Sequence, residues 1–516
     1  MEENIIFNEK KKMTNDIEKL NDEFYNQRIE TKLSLRKKAM NDILYNRRIL
    51  QNNSVNIDNK KVYKLKYDIS NIKLIIDKSE IKFNINFDQN EGEKILSYAS
   101  KYLKSENIDD IKNGIILTKM FINKNLNNNL SDYINFLFIY ELFHIIDKIT
   151  KEDHIIFNIL DIIISYSSIN KDKNLAKVLL SPESYKIWEL CFNLQNFEIF
   201  YGIMSVFNNI VQNNIIGCCN LIRSNFLQNQ IFNFYNNESI IAQKYNENKN
   251  DIYFYIIKIG INLFCTLLII PTYNLDSATK KEIMLSKRKI INILINYYDI
   301  NYFDNYYKII FSFALSVEND YVLFDELENN HFFENVLINK KFFGEKNLLY
   351  YLNKIFGNYI AYKSKINNKL IEEIIYFESN YLKICKDSSH RKNIFWTLTN
   401  ILLSDDQIYE KIFKIEGLLI NIFNCLKHSY SFNEVREILY FFSVLFTFIN
   451  NKYFIELEKN HLMELVFFHV KNTCENRVDG LHLCFTIFEF YLTFGKELSK
   501  YFEGKNIIKE KFDKLG

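Results

Sequence analysis

Residues 391–423 read RKNIFWTLTNILLSDDQIYEKIFKIEGLLINIF. The segment is a strongly apolar helix ending in an Asn-hydrophobic step, a polar turn, a second helix and a third. The same order recurs in LYYLNKIFGNYIAYKSKINNKLIEEIIYF from Leu349 and in GIMSVFNNIVQNNIIGCCNLIRSNFLQNQIFNFY from Gly202. Similar segments return about every 40 residues from residue 91 onward. A unit of this kind cannot bury its apolar face alone. Stacked units bury one continuous core and leave a long open face, on which proteins of this build bind extended partners.

The rest of the composition agrees with helices. Of 516 residues, 48% are hydrophobic, with only 12 Gly and 2 Pro (Pro182 and Pro271). So little turn chemistry argues against a sandwich or barrel. The abundant Asn, Ile, Lys, Tyr and Phe suggest AT-rich coding, so single Asn residues are read as carrying no signal. The net charge of +2 gives no overall pull toward nucleic acid or membrane. Eight scattered Cys, without a C-x-x-C pair, read as buried free thiols. No zinc-like His/Cys spacing occurs, and no metal or cofactor is expected. No apolar signal core opens the chain. Ile252–Ile270 approaches the length and apolarity of a bilayer span. Lys258, Asn262 and Thr266 within it favour a buried repeat helix.

Four regions follow. Residues 1–50 carry a charged helix; 51–90 form a polar linker in which YKLKYDI and IKFNINF alternate like strands; 91–500 hold about nine to ten repeats; 501–516 form a mixed Lys/Glu tail. Within the first region, Arg28, Lys32, Arg36, Lys37, Lys38, Arg47 and Arg48 face only Glu30 and Asp42, with apolar residues interleaved at helical spacing. Such a helix suits a solvated face, a membrane or nucleic-acid contact, or capture by an acidic partner.

Residues 35–50, LRKKAMNDILYNRRIL, resemble the importin-β-binding segment of the importin-α family, L-R-K-x-K-R-x-E-x-L-x-K-R-R-N. Leu35, Arg36, Lys37, Asp42 (for Glu), Leu44, Arg47 and Arg48 match. Ala39 and Met40 replace a basic pair, Asn46 a Lys, and Ile49 the Asn. The resemblance implies an all-α fold: an armadillo-repeat, right-handed superhelical solenoid preceded by an N-terminal basic helix. It also implies a groove in which the third helix of each repeat carries W-x-x-x-N. Asn amides there clamp an extended peptide, and Trp rings form slots for Lys and Arg. Trp396 and Asn400 match outright. Lys354-I-F-G-Asn358, one repeat earlier, resembles the family's R-x-x-G-N. In the next repeat Tyr440 stands for Trp and Val444 for Asn. At the other end of the groove Ser205 stands for Trp and Asn209 is kept. Trp188, followed by Phe192 rather than Asn, reads as core, and around Ile309 and Phe313 the ladder is lost. Asp405 and Asp406 are candidate acidic neighbours of the slot. NRVDGLHLCFTIFEFYLTFGKEL (476–498) resembles the family's penultimate repeat.

The sequence contains no P-loop, Rossmann glycines, G-x-S-x-G or H-E-x-x-H. The implied role is therefore a non-enzymatic nuclear-import adaptor, shuttling between cytoplasm and nucleus. Its partners would be importin-β and cargo with basic nuclear localisation signals, without direct nucleic-acid or membrane contact. The acidic clusters common at this family's C-terminus are absent, which puts recycling by the usual nuclear exportin in doubt. Two alternatives stand beside this reading: an armadillo scaffold with one fixed protein partner, and a nucleic-acid-binding helical repeat. No repeated base-reading position supports the latter.

Overall fold

The structure is a computed structural model that describes residues 89–498, apart from 125–133, 135, 150–151, 170–172, 213, 238–250, 273–274, 298–302, 339–345, 364–365, 405–406, 473 and 475–476. The stretch from Arg28 to Arg48 with its seven cations, the alternating segments of the linker, Asp405, Asp406 and the C-terminal tail lie outside the described residues. Every regular element among the described residues is helical.

Nine of these helices form a spine in which each packs on the one before it: Ile108–Lys124, Asp153–Ile169, Phe197–Val211, Asp251–Leu268, Phe303–Asn319, Lys346–Tyr362, Ser388–Leu402, Phe432–Phe446 and Val478–Leu498. Their first residues follow one another at intervals of 42 to 54 residues. Gln89–Leu103 packs on the first of them. Between spine helices the chain forms a second layer. Its members Lys173–Leu179, Ile215–Arg223, Ser277–Asn296, Leu323–Asn329, Phe332–Ile338, Asn368–Ile384, Leu418–His428 and Leu462–Asn472 each touch the next.

The sequence explains this layering. In Ser388–Leu402, Ile394, Phe395, Leu398, Ile401 and Leu402 are all buried. So broad an apolar surface needs neighbours on several sides: a spine helix before, one after, and the second layer behind. The apolar stretch at 252–270 is such a spine helix, with Ile256, Ile257, Leu263 and Phe264 in the core. No helix among the described residues is long and apolar enough to cross a membrane. Trp188 is fully buried, donates from Nε1 to the Leu179 carbonyl at 2.8 Å, and lies between Phe143 and Phe207.

One expectation needs correcting. Single Asn residues do carry signal, because Asn196, Asn214, Asn367 and Asn450 cap helices by accepting from backbone N–H groups of the first turn. Their side-chain carbonyls satisfy donors that the helix itself leaves unpaired. Asp276 and Asp387 do the same, and Ser181 caps a helix whose first residue is Pro182.

Polar staples cross the layers. Lys287, on the second-layer helix Ser277–Asn296, is fully buried. Its ammonium donates to Asp320 Oδ2 at 2.7 Å and to the Ile270 carbonyl at 2.7 Å. Thr272 donates to the other Asp320 oxygen. The group thus ties the exit of one spine helix to the end of the next. Burial pulls the Lys287 pKa down, and Asp320 opposes that pull. Removing one partner strands a buried charge, so Asp320→Ala is expected to lower stability by about 3–5 kcal/mol. A Lys287→Met/Asp320→Leu double variant should recover most of that loss. Urea unfolding followed by circular dichroism measures both, and a double variant as unstable as the single would refute the stranded-charge account.

Candidate functional site

Six of the spine helices show a stripe that is incompletely covered. On Ser388–Leu402 it runs through Lys392 and Trp396, and on Lys346–Tyr362 through Tyr350, Tyr351 and Lys354. On Phe303–Asn319 it holds Tyr307, Lys308 and Phe311, and on Asp251–Leu268 Phe254, Tyr255, Lys258 and Asn262. Tyr201 and Asn209 mark it on Phe197–Val211, and Arg436 and Tyr440 on Phe432–Phe446. All six groove residues expected from sequence therefore sit on spine helices. Lys354, Asn358, Trp396, Asn400 and Tyr440 share three successive helices, whereas Asn209 lies three helices earlier. Ile309 and Phe313 are fully buried, so on that helix the open stripe belongs to other residues.

The contact between Lys346–Tyr362 and Ser388–Leu402 is close because Gly357 has no side chain. A Cβ there would meet Trp396 Cζ3 at 2.4 Å and Thr397 Oγ1 at 2.5 Å. The indole therefore rests on the backbone of the preceding spine helix, half-buried. Asn400, 9% exposed, donates from Nδ2 to the Gly357 carbonyl at 3.3 Å. The G of K-I-F-G-N and the W and N of W-T-L-T-N thus form one joint. Asn358, next to Gly357, is only 6% exposed and makes no hydrogen bond among the described residues.

The Asn residues differ from the expected clamp. Both Asn209 donor contacts are internal, to the Ile164 carbonyl at 3.3 Å and to Ser167 Oγ at 3.2 Å. Its amide group already serves the spine as a strut. Of the expected Asn residues, Asn358 retains the most hydrogen-bonding capacity.

Sequence reading missed Lys258 and Asn262. Lys258 Nζ lies 5.9 Å from the Phe254 ring centre, and Asn262 Oδ1 accepts from Lys308 Nζ at 2.8 Å. The available signal was K-I-G-I-N at 258–262, the same K-x-x-x-N spacing as 354–358. Lys354 Nζ lies 5.3 Å from the Tyr350 ring centre. Burial pulls its pKa down, but Glu318 and Tyr350 outweigh that and hold it above the usual lysine value. Two carboxylates near this face are paired within the protein: Asp161 with Lys119 at 2.7 Å and Glu437 with Arg436 at 3.1 Å.

Behind the joint lies a buried polar trio. Asn353 Nδ2 donates to Glu378 Oε1 at 2.8 Å and to Thr397 Oγ1 at 3.1 Å. Asn353 Oδ1 and Glu378 Oε2 are buried and unmatched. Burial pushes the Glu378 carboxyl up to about 8, against the Asn353 hydrogen bond, which lowers it. At neutral pH it is therefore mostly the uncharged acid, whose hydroxyl is a donor rather than an unmet acceptor.

Among the described residues no His, Cys, Asp or Glu group is arranged to hold a metal ion. The stripe offers amides, ring faces and cations, which suit an extended chain lying across successive helices.

No protein-family model matches this chain, and no curated protein matches it. Among solved structures, the crystal structure of an engineered protein from the Northeast Structural Genomics Consortium is similar over 78% of this chain and 99% of that one, with a TM-score of 0.50 and 10% sequence identity. The likeness speaks to the fold alone, an all-helical architecture.

Two outcomes are expected. Gly357→Ala should drive the Trp396 ring off its seat, lowering stability by about 1–3 kcal/mol. Because Trp188 is buried in the core, the accompanying change in tryptophan emission reports on Trp396; an unchanged spectrum would refute the contact. Glu378 has a folded pKa above its unfolded value, so between the two the folded state holds more protons. Its contribution to stability therefore falls as pH rises from about 5 through about 8. Glu378→Gln should flatten that slope and be more stable than wild type at pH 8, as read from unfolding midpoints across the pH range.

Proposed function

We propose that this chain is a divergent adaptor of the importin-α type. It would hold an extended basic signal on the spine face and engage importin-β through the basic stretch of residues 28–48. The observation that carries the reading is the Gly357–Trp396–Asn400 joint. It sets a half-buried indole beside Asn358 and Asn400 on two neighbouring spine helices, which supports the W-x-x-x-N and x-x-G-N resemblance even though the Asn400 amide is turned inward. Spine helices at intervals of 42 to 54 residues support an armadillo-type stack. In this reading, cargo enters the Trp396–Tyr440 end of the stripe, importin-β removes a competing basic helix, and its release in the nucleus lets that helix displace cargo. Shuttling between cytoplasm and nucleus follows from the cycle, and no catalytic step is involved.

One observation favours a second reading, an armadillo scaffold with a fixed protein partner. The stripe from Asp251 to Tyr362 carries lysines, where a site for basic signals needs carboxylates.

A fluorescent lysine-rich peptide titrated into the full chain tests the first reading. Micromolar binding that weakens at least tenfold in Trp396→Ala/Asn400→Ala is expected. Absence of binding to either protein would leave the scaffold reading.

A further inference from the structure

We propose that the middle of the spine face, from Lys258 to Lys354, is a docking site for an extended acidic peptide segment. The proposal rests on the reading of this face as a peptide groove and assigns the charge of what it takes there. Three successive spine helices each present a half-buried lysine: Lys258, Lys308 and Lys354. Lys258 contacts the Phe254 ring and has no carboxylate partner among the described residues. Lys308 meets an amide oxygen, Asn262 Oδ1. On Lys354 acts one acid, Glu318. Cations held against rings in partly desolvated positions repel incoming lysines and attract carboxylates.

The backbone contacts are present too. Asn358, nine-tenths buried and without a hydrogen bond among the described residues, is placed one turn beyond Lys354 to take a passing main-chain N–H or carbonyl. Packed helices lie about 10 Å apart, and an extended chain advances about 3.3 Å per residue. One lysine therefore meets about every third residue of a chain crossing the spine, so the fitting segment carries Asp or Glu at that spacing.

The test uses the full chain and a fluorescein-labelled twelve-residue peptide with Glu at every third position. A matching Lys peptide and a twelve-residue oligo-dT serve as comparators. Binding of the Glu peptide is expected, weakened at least tenfold in Lys258→Glu/Lys354→Glu and kept within threefold in Lys258→Arg/Lys354→Arg. Glu-peptide binding unchanged by the charge reversal overturns the proposal. So does oligo-dT binding more tightly through the same lysines, which would make the face a nucleic-acid site. If wild type binds the Lys peptide through Trp396 and Asn400 but not the Glu peptide, this inference fails while the groove reading stands. If it binds neither peptide, both fail. Should the reversal variant lose helicity, Lys258→Gln/Lys354→Gln decides: a loss of threefold or more supports the site, and no loss overturns it.

Discussion

Spine helices of this protein are apolar around so much of their circumference that none can exist without the next. Ser388–Leu402 buries residues toward Lys346–Tyr362 on one side, Phe432–Phe446 on the other, and the second layer behind. Stability is therefore shared along the stack as a chain of neighbour interfaces rather than concentrated in one centre. The incompletely covered stripe on six of these helices is what this arrangement leaves over, and any groove is a by-product of the stacking.

That constraint explains where the buried polar groups lie. Three buried clusters straddle joints between helices. Lys287 with Asp320 joins two spine helices through the second layer. Arg391 grips Glu434 through two nitrogens, linking Ser388–Leu402 to Phe432–Phe446, and Ser429 donates to the same carboxylate. Asn353, Glu378 and Thr397 join three helices at once. Apolar stacking is non-directional and would tolerate sliding by a turn. A buried polar pair has one register in which it is satisfied, so these groups suit the task of fixing which turn meets which.

The all-helical class and the placement of the expected groove residues on one set of helices were legible, because period and spacing are local properties of the chain. Trp188 was legible as core because no Asn follows it at the fourth position. Lys258 and Asn262 were not picked out, since their polar character was read only as an interruption in an apolar stretch. The Asn caps were missed for a compositional reason: in a chain so rich in Asn, a cap looks like background until backbone N–H groups are seen pointing at it. Nor does spacing reveal that Asn209 and Asn400 direct amide hydrogens at the preceding helix. That depends on how far neighbouring helices are offset, which is a property of packing.

The stripe also changes character along its length, and the change has a physical basis. Toward the C-terminal end, Arg391 and Arg436 are each matched by a glutamate, leaving Trp396 and Tyr440 among largely compensated charges. In the middle, Lys258 and Lys354 already lie over Phe254 and Tyr350. A cation tethered to the helix is ordered with the fold, whereas one arriving on a peptide must give up translational freedom to take the same ring. A ring contact of this kind contributes only about 0.5–2 kcal/mol. An incoming lysine therefore competes at a disadvantage that the contact does not offset, and it meets like charge as well. Aromatic slots that resemble receptors for basic side chains are thus filled from within, and the same residues turn the surface toward ligands of opposite sign.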